Sequence, residues 1–323
     1  MPTESFEPIL SRDEAKAIGK PIIDIAAPVL KETVNWATNL YPRCQTSKTG
    51  EKPEAFSLLA LFLHVIQSID AVEVLVSQSC GTPANLILRS AFEAKLSIEY
   101  ICESKSARRS AAWAVKHILQ EIDYYRNYNP DNPKGVQFRE TWDENNWGQF
   151  VSPSPRTEAS KAIENLEQKL KSPQYKDIYR DYQMMIKSPH KLPEWYSIDK
   201  GPKNLWDLSR HLKQGVEYEM FYAAWSKQSH ATDTHHLTLP MPDGPNILGP
   251  LRSPLDLVNV STDGLVIMLN TIQLMIRKFR PNEMTNFLNW HQREVFDKQI
   301  QLAKLSLSAL KWYGKMFKGG NKG

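Results

Sequence analysis

A tyrosine, a serine and a histidine recur at four-residue intervals in the segment YAAWSKQSH, as Tyr222, Ser226 and His230. In an α-helix this spacing places the three side chains on one face, and Glu219 lies one turn before Tyr222 on that face. A phenol, a hydroxyl, an imidazole and a carboxylate can accept, donate and transfer protons. The segment therefore predicts either one wall of an active site or a polar stripe within a helical core.

An arginine and a glutamate, Arg89 and Glu93, lie four residues apart in the segment that begins at Pro83. In a helix they can form an ion pair, and we expect this pair to be buried because the rest of their face is apolar or aromatic. Lys95 and Glu99 are expected to occupy the narrow solvated strip of the same helix. We expect the arginine and glutamate to meet the polar face described above, which would bring an acid, a base, a hydroxyl and a fixed cation together.

Metal-independent RNA cleavage is one chemistry that these residue types allow. It needs a base near the 2′-hydroxyl, which His230 or Glu93 could supply, and a cation on the phosphorane-like transition state, which Arg89 could supply. A nucleophilic pair of Ser226 and His230 is a second chemistry, although a serine within a helix usually bonds back to the carbonyl four residues earlier. The alternative to both is a structural role, in which the same residues form a satisfied polar network that fixes the helix register.

A metal site would need different residues. The segment HATDTHH contains His230, Asp233, His235 and His236, which are of the types that bind zinc or manganese. In a helix His230 and His235 would point about 140° apart, so only a loop could bring them together. Three widely spaced cysteines without a C-x-x-C motif predict neither a disulfide framework nor cysteine ligands. Since the sequence also has no Gly-rich phosphate loop, we expect no metal and no cofactor.

The elements that must position these residues are predicted to be helices. Glycine is scarce (14), proline is common (21), and the prolines separate segments of 3.6-residue apolar periodicity. We therefore predict an all-α multi-helix bundle around a central antiparallel hairpin at 54–103, in which Thr82 caps the second helix and His64 is structural. Irregular loops are expected at 129–155 and 237–250. The predicted helices are 11–18, 21–40, 54–79, 83–103, 106–128, 156–171, 174–187, 203–214, 216–231, 254–279 and 283–316.

The size and composition of the chain are typical of a soluble globular protein. Its 323 residues are 41% hydrophobic and 24% charged, with a mean hydropathy of −0.47. A net charge of +4 is too small to indicate a nucleic-acid or membrane surface by overall charge. The most apolar stretch, at 55–66, is shorter than the ~20 residues that span a bilayer, and the N-terminus lacks a signal-peptide pattern. We expect a cytoplasmic protein that does not contact membranes, with an N-terminal extension (1–50), a core (51–240) and C-terminal helices (241–323).

Three ordered segments resemble an uncharacterised bacterial family of helical domains of unknown function. They are LILRSAFEAKLSIEYI (86–101), EWYSIDKGPKNLWDL (194–208) and YEMFYAAWSKQSHAT (218–232), and they resemble an R-S-x-x-E helix, a W-x-S segment and a Y-x-x-x-S-x-x-x-H helix. The resemblance spans 50–240 and implies a helical fold and a set of site residues, but no established activity. Those residues are Arg89, Ser90, Glu93, Trp195, Ser197, Tyr222, Ser226 and His230. After the histidine, ATDTHH replaces the Gly-containing turn that the resemblance leads us to expect.

The helices are more distantly similar to the ribonuclease and nucleotide-transfer partner domains of toxin and phage-defence systems. Those nucleases use an R-x4-6-H motif, whereas here seven residues separate Arg109 from His117, and Arg210 directly precedes His211. The resulting hypothesis is a defence- or toxin-type effector that acts on RNA or a nucleotide. Arg89 would clamp the anion, His230 would act as acid or base, Glu93 would orient one of them, Tyr222 and Ser226 would donate hydrogen bonds, and Ser90, Trp195, Ser197 and Glu219 would bind ligand.

The alternative hypothesis is a non-enzymatic interaction or ligand-sensing module. In that case the same side chains would hold the helical core together, and the partner would be another protein or a second copy of the chain.

Overall fold

The computed structural model describes residues 12–129, 132–145, 156–186, 192–228, 238–239, 247–248, 252 and 254–305. These residues are almost entirely helical, which confirms the predicted all-α multi-helix class. The first seven helices are α1 (Arg12–Gln45), α2 (Ala55–Ser77), α3 (Gly81–Glu103), α4 (Ser106–Tyr128), α5 (Pro133–Glu144), α6 (Arg156–Leu170) and α7 (Lys176–Met185).

The later elements are shorter and less regular, apart from one long helix. They are a 3₁₀ segment (Trp195–Lys200), α8 (Leu205–His211), α9 (Gly215–Glu217), a first π-helical turn (Tyr218–Tyr222) and α10 (Ala223–Gln228), followed by β1 (Thr238–Leu239) and β2 (Ile247–Leu248). After them come α11 (Pro254–Phe279), a 3₁₀ turn (Pro281–Glu283), α12 (Met284–Trp290), a second π-helical turn (His291–Val295) and further helix at 296–305. Among the described residues, β1 and β2 form a two-residue antiparallel pair beside the helices.

The chain divides into two compact units. Unit 1 consists of Met1–Cys102 and Leu212–Gly323, and unit 2 consists of Glu103–His211. The division of the sequence into an extension, a core and C-terminal helices follows other boundaries and stays a prediction.

Three long helices, α1, α2 and α11, form the core of unit 1. Each of them packs along the other two, and their contact faces bury apolar side chains such as Leu30, Phe62 and Met268. A short turn connects α2 and α3, the pair that we predict as a central hairpin. However, α2 has its most extensive contacts with α1 and α11. The predicted break in α1 near Pro21 is wrong. The helix continues through its internal prolines because tertiary packing of its buried stripe outweighs the hydrogen bonds that they remove.

The connection from α2 to α3 is a tight turn. Ser79 has a positive φ of 56°, and the Cys80 amide donates to the carbonyl of Leu75 at 2.9 Å. The helix begins at Gly81, two residues earlier than predicted, and a Cβ at this glycine would lie 2.9 Å from the Cβ of Asp256 on α11. Thr82 does not act as the predicted cap, because its hydroxyl hydrogen-bonds to the Asp256 carboxylate at 2.5 Å. This turn joins α3 to the core of unit 1.

Two helices of unit 1 are long and apolar enough to cross a membrane, by length and composition alone. They are Ala55–Ser77 and Asp256–Phe279, and at least half of each apolar window is buried against other parts of the protein. From the sequence alone, only the first part of α2 stands out as strongly apolar. Since α2 and α11 pack against each other and against α1, their apolar character is that of core helices in unit 1.

Unit 2 is built around α4, which contacts α5, α6, α7 and the 3₁₀ segment. The boundaries of α4 agree with the prediction. In contrast, α5 lies within the stretch that we expected to be irregular. It begins after Asn132, whose side chain accepts a hydrogen bond from the Lys134 amide at 3.0 Å, and Pro133 occupies its first turn. An asparagine cap followed by proline is a helix start signal that the proline-rich composition of the loop obscured.

Candidate functional site

The polar face of α3 is open to solvent, contrary to our expectation of a buried ion pair. The side chain of Arg89 is 31% exposed and that of Glu93 is 43% exposed. Leu86 and Ser90 are exposed on the same side of the helix. The predicted positions of the buried and solvated faces of α3 were therefore wrong in part.

The exposure of Lys95 also differs from the prediction, in the opposite direction. It was expected to be solvated, but it is 5% exposed and its ammonium lies 3.1 Å from the Glu99 carboxylate. The ammonium also donates to the Gln214 side chain, which in turn donates to Glu99. Burial lowers the pKa of Lys95, and the neighbouring Glu99 partly opposes this effect. This network of α3 and the residues before α9 is a buried polar contact inside unit 1.

Arg89, Glu93 and Tyr222 form a hydrogen-bonded cluster, which we call the α3 cluster. The Arg89 Nε donates to Glu93 Oε1 at 3.3 Å and to the Tyr222 hydroxyl at 3.1 Å. The Tyr222 hydroxyl donates to Glu93 Oε1 at 2.7 Å. The guanidinium carbon also lies 5.1 Å from the centroid of the Tyr222 ring. The predicted contact between the Arg89–Glu93 pair and Tyr222 is confirmed, although Tyr222 lies 129 residues beyond Glu93 in sequence.

A π-helical turn presents Tyr222 to α3. Within this turn the Ala223 amide bonds to the carbonyl of Tyr218, five residues earlier, instead of to the residue four earlier. Tyr218 stacks on Tyr222 with ring centroids 4.7 Å apart. Glu219, predicted to share the face of Tyr222, is exposed, because the wider π-helical turn rotates it away from the position that an α-helix would give it. A regular α-helical pattern could not reveal this turn.

Aromatic contacts hold the π-helical turn against α3. The Phe92 ring of α3 lies 6.1 Å from the Tyr222 ring and 6.2 Å from the Trp225 ring, and Trp225 also stacks on Phe221 at 6.0 Å. Tyr222 is buried except for 7% of its surface, so its hydroxyl is fixed in position at the edge of the aromatic contact. The α3 cluster thus combines a buried anchor with two half-exposed charged side chains.

The electrostatics of the α3 cluster favour the charged form of its arginine and the neutral form of its phenol. Burial, with a further contribution from Glu93, raises the pKa of Tyr222 to about 12. Burial alone would lower the pKa of Arg89, but its bonds to Tyr222 and Glu93 outweigh this and raise it. Burial and the carboxylates of Glu219 and Glu93 raise the pKa of Tyr218. At neutral pH Arg89 is therefore charged, and the phenols of Tyr222 and the neighbouring Tyr218 are neutral.

Two of the predicted catalytic residues are not placed in this cluster by the structure. Ser226 lies on α10, one turn beyond Tyr222, and is half-buried. His230 lies outside the described residues, as do Asp233, His235 and His236 of the metal alternative. Among the residues that the structure does describe, no group of three histidine, cysteine, aspartate or glutamate side chains could hold a metal ion.

Ser90 has a partner that the sequence analysis missed. Its hydroxyl lies 2.8 Å from the Nε2 of His64 on α2, and both residues are exposed. We had expected His64 to be structural because the segment around it is apolar. The signal that could have found it is the helical period, which places His64 on the same narrow exposed side of α2 as Leu63 and Gln67.

The predicted residues Trp195 and Ser197 belong to unit 2. Trp195 is buried and packs edge to face against Tyr196, with ring centroids 5.5 Å apart. The Ser197 hydroxyl donates to the carbonyl of Pro202 at 2.7 Å. In the structure both side chains stabilise the 3₁₀ segment, and their predicted role in ligand binding stays a prediction.

An arginine of unit 2 forms a second charged network, which the sequence analysis did not identify. The Arg108 Nε and Nη2 both donate to the Asp199 carboxylate at 2.7 Å, and Nη2 donates to Asp181 at 2.7 Å. Asp199 and Lys200 adopt left-handed backbone conformations with φ of 59° and 61°. The bidentate bond from Arg108 lowers the pKa of Asp199. Arg108 therefore stabilises an unusual turn through two carboxylates.

A family model matches residues 56–240, which include the α3 cluster and the whole of unit 2. Its description is a family of unknown function, DUF5677. The chain belongs to this family. The resemblance to an uncharacterised helical family is thereby confirmed, whereas the bacterial origin of DUF5677 and the motifs that we associated with it stay predictions. No curated protein and no solved structure matches the chain.

Proposed function

We propose that this DUF5677 protein binds RNA or a nucleotide at the α3 cluster, and that it acts on this ligand as a cytoplasmic effector of the defence or toxin type. The observation that supports the proposal is the partial exposure of Arg89 and Glu93, which a buried Tyr222 holds in place. Exposed ion pairs contribute little to stability, so the fixed geometry of this one favours a role in binding.

Arg89 has the chemistry of a phosphate ligand. A guanidinium remains charged at all physiological pH values and can donate parallel hydrogen bonds to two phosphate oxygens. Its bonds to Glu93 and Tyr222 use Nε and restrict the side-chain rotamers, which lowers the entropy that a ligand must overcome on binding. Arg89 is therefore preorganised for the role of anion clamp.

The two tyrosines of the π-helical turn provide flat aromatic surfaces next to the arginine. Tyr218 is half-exposed and stacks on Tyr222, over which the Arg89 guanidinium lies. Nucleobases stack on such side chains at about 1–3 kcal/mol per base, largely without regard to base identity. A phosphate on Arg89 and a base on Tyr218 would together favour a nucleotide or a single-stranded RNA over an inorganic anion.

The remaining roles follow the sequence hypothesis. In this proposal Glu93 orients Arg89, Tyr222 and Ser226 donate hydrogen bonds, and His230 acts as an acid or a base in metal-independent cleavage of a phosphodiester. Ser90 and Glu219 of unit 1 remain candidates for contacts with this ligand.

Fluorescence anisotropy with a labelled single-stranded RNA, and separately with a labelled nucleotide, tests the proposal. Arg89→Gln should weaken binding by about tenfold or more, because a hydrogen bond to a charged group contributes roughly 1.5–3 kcal/mol. Arg293→Gln is the matched control, since it removes the same charge from a side chain that is 72% exposed and lies outside the α3 cluster. Equal affinities of the two variants, or no binding of either ligand by the wild type, would contradict the proposal.

A structural role for the α3 cluster is the alternative, and the burial of Tyr222 against Phe92 favours it. In that case the protein would be an interaction or ligand-sensing module whose partner is another protein or a second copy of the chain. Deleting a partner in a structural network should lower the free energy of unfolding by several kcal/mol without a specific effect on RNA or nucleotide binding. Urea denaturation of the Arg89→Gln variant therefore separates the two functions.

A further inference from the structure

Ser90 differs from four other helical serines and threonines of unit 1 in the partner of its hydroxyl. Ser68, Ser97, Ser261 and Thr271 each donate to the backbone carbonyl four residues earlier, at 2.5–2.8 Å. That bond occupies the hydroxyl proton and is the usual state of a serine within a helix. The Ser90 hydroxyl instead lies 2.8 Å from an imidazole nitrogen, the Nε2 of His64.

This pair lies next to the α3 cluster on the exposed side of unit 1. Ser90 directly follows Arg89, and Glu93 lies one helical turn beyond it, so its Cβ is within about 6 Å of the Glu93 Cβ. Both His64 and Ser90 are exposed, so a ligand bound at Arg89 could reach the hydroxyl without a change in the fold. The structure therefore places a hydroxyl, an imidazole and a guanidinium along one surface.

We infer that Ser90 and His64 are a nucleophile and its general base, and that they act on the phosphoester or phosphoanhydride bond of a nucleotide-type ligand held by Arg89. This inference rests on the proposed function and assigns the covalent chemistry of the same site. A nucleophile within hydrogen-bond distance of its base is the arrangement that activates a serine. The base in this pair, His64, belongs to the described part of the chain, unlike His230.

The reaction balances with these residues and water. In the tautomer that carries its proton on Nδ1, His64 accepts the Ser90 proton at Nε2 while Oγ forms a bond to phosphorus and the bond from phosphorus to the leaving oxygen breaks. The leaving oxygen takes that proton from the imidazolium, and Arg89 stabilises the charge on the non-bridging oxygens. Water then attacks the phosphorylated serine with His64 as its base, which releases the phosphate product and restores the Ser90 hydroxyl.

A fluorophosphonate probe tests the pair without any nucleotide. The Ser90 Oγ would form a bond to phosphorus, the P–F bond would break, and fluoride would leave while His64 takes the serine proton. We expect mass spectrometry of the full-length protein to locate the adduct on Ser90. Ser77 is the internal reference, because it is accessible but its hydroxyl donates to the carbonyl of Val74.

Variants of both residues complete the test. Ser90→Ala should abolish the adduct. His64→Gln, which can still hydrogen-bond to Ser90 but cannot accept its proton, should slow labelling at least tenfold while the melting temperature stays that of the wild type. Ser97→Ala is the matched control and should label as the wild type does.

Labelling that is absent from Ser90, or that His64→Gln leaves unchanged, would overturn the inference even if RNA or nucleotide binds at Arg89. Labelling that depends on His64, in a protein that binds neither RNA nor nucleotide, would leave the pair intact and contradict the proposed ligand. The two failures are therefore distinguishable.

Discussion

Two arginines on helices that are consecutive in sequence, Arg89 in unit 1 and Arg108 in unit 2, illustrate two different uses of a charged side chain. Arg108 makes three hydrogen bonds of 2.7 Å to two carboxylates, and these bonds stabilise a left-handed turn. Arg89 bonds to a carboxylate at 3.3 Å and to a neutral phenol at 3.1 Å. Arg108 is thus paired with two carboxylates through short bonds, whereas Arg89 shares longer bonds with one carboxylate and one phenol that aromatic contacts hold in place.

Two aspartates extend the comparison of the units. Asp199 in unit 2 has a lowered pKa because Arg108 bonds to it. Asp263 on α11 in unit 1 has a pKa that burial raises to about 7. Ionisation of Asp199 therefore stabilises its unit, and ionisation of Asp263 destabilises its unit.

The largest effect is expected for Asp263→Asn. Because the pKa of Asp263 is higher in the folded than in the unfolded protein, stability falls as pH rises from the ordinary value of 3.8 towards about 7. The variant should gain about 4 kcal/mol in the free energy of unfolding near pH 8, and this gain should vanish towards pH 4. Urea denaturation across this pH range measures it. A gain that did not depend on pH would show that the carboxylate is not strained by burial.

The next largest effect is a loss of stability in Arg108→Gln. Removing three short charged bonds should cost about 2 kcal/mol, after allowance for the partial exposure of the arginine and its carboxylates. In the same urea titration Arg89→Gln should cost less than about 1 kcal/mol, because its ion pair is longer and half-exposed. Equal losses in the two variants would remove the distinction between the two arginines.

Acid should act on unit 2 through the same contact. The pKa of Asp199 lies below its ordinary value of 3.8, so the stability that it contributes is present above that pH and is lost as pH falls through the lowered value. Asp199→Asn should lack this acid-dependent part of the unfolding free energy, and hydrogen exchange of α4 below about pH 4 would measure it. The same acid dependence in wild type and variant would contradict the assignment.

The smallest effect concerns the phenol of the α3 cluster. Since Glu93 helps to raise the pKa of Tyr222 to about 12, Glu93→Gln should lower that pKa. Ultraviolet titration at alkaline pH measures it, and Tyr222→Phe identifies which transition belongs to this residue. An unchanged transition would show that the glutamate does not reach the phenol in solution.

The parts of the fold that the sequence predicted well are those with strong local signals. The bounds of α4 and α11 agree with the predicted ones, since continuous apolar periodicity defines both helices. The contact of Arg89 and Glu93 with Tyr222 was also predictable, because both segments carry hydrogen-bonding side chains at helical spacing and Tyr222 is flanked by large aromatic residues.

The parts that the sequence did not reveal depend on tertiary contacts. Whether Lys95 or Arg89 faces solvent is set by the residues that pack against α3, and Gln214 buries the lysine. The π-helical turn that displaces Glu219 has no distinctive residue pattern. The pairing of His64 with Ser90 joins two helices across a turn. The two carboxylates to which Arg108 bonds lie 73 and 91 residues away from it in sequence.

The salt dependence of RNA binding tests the central claim most directly. Each phosphate that a cation neutralises on a single strand contributes about −0.7 to the slope of log K against log salt concentration. If Arg89 contacts a phosphate, Arg89→Gln should make this slope shallower by about that amount, whereas Arg108→Gln should leave the slope of the wild type unchanged. Identical slopes for the wild type and Arg89→Gln would contradict the account.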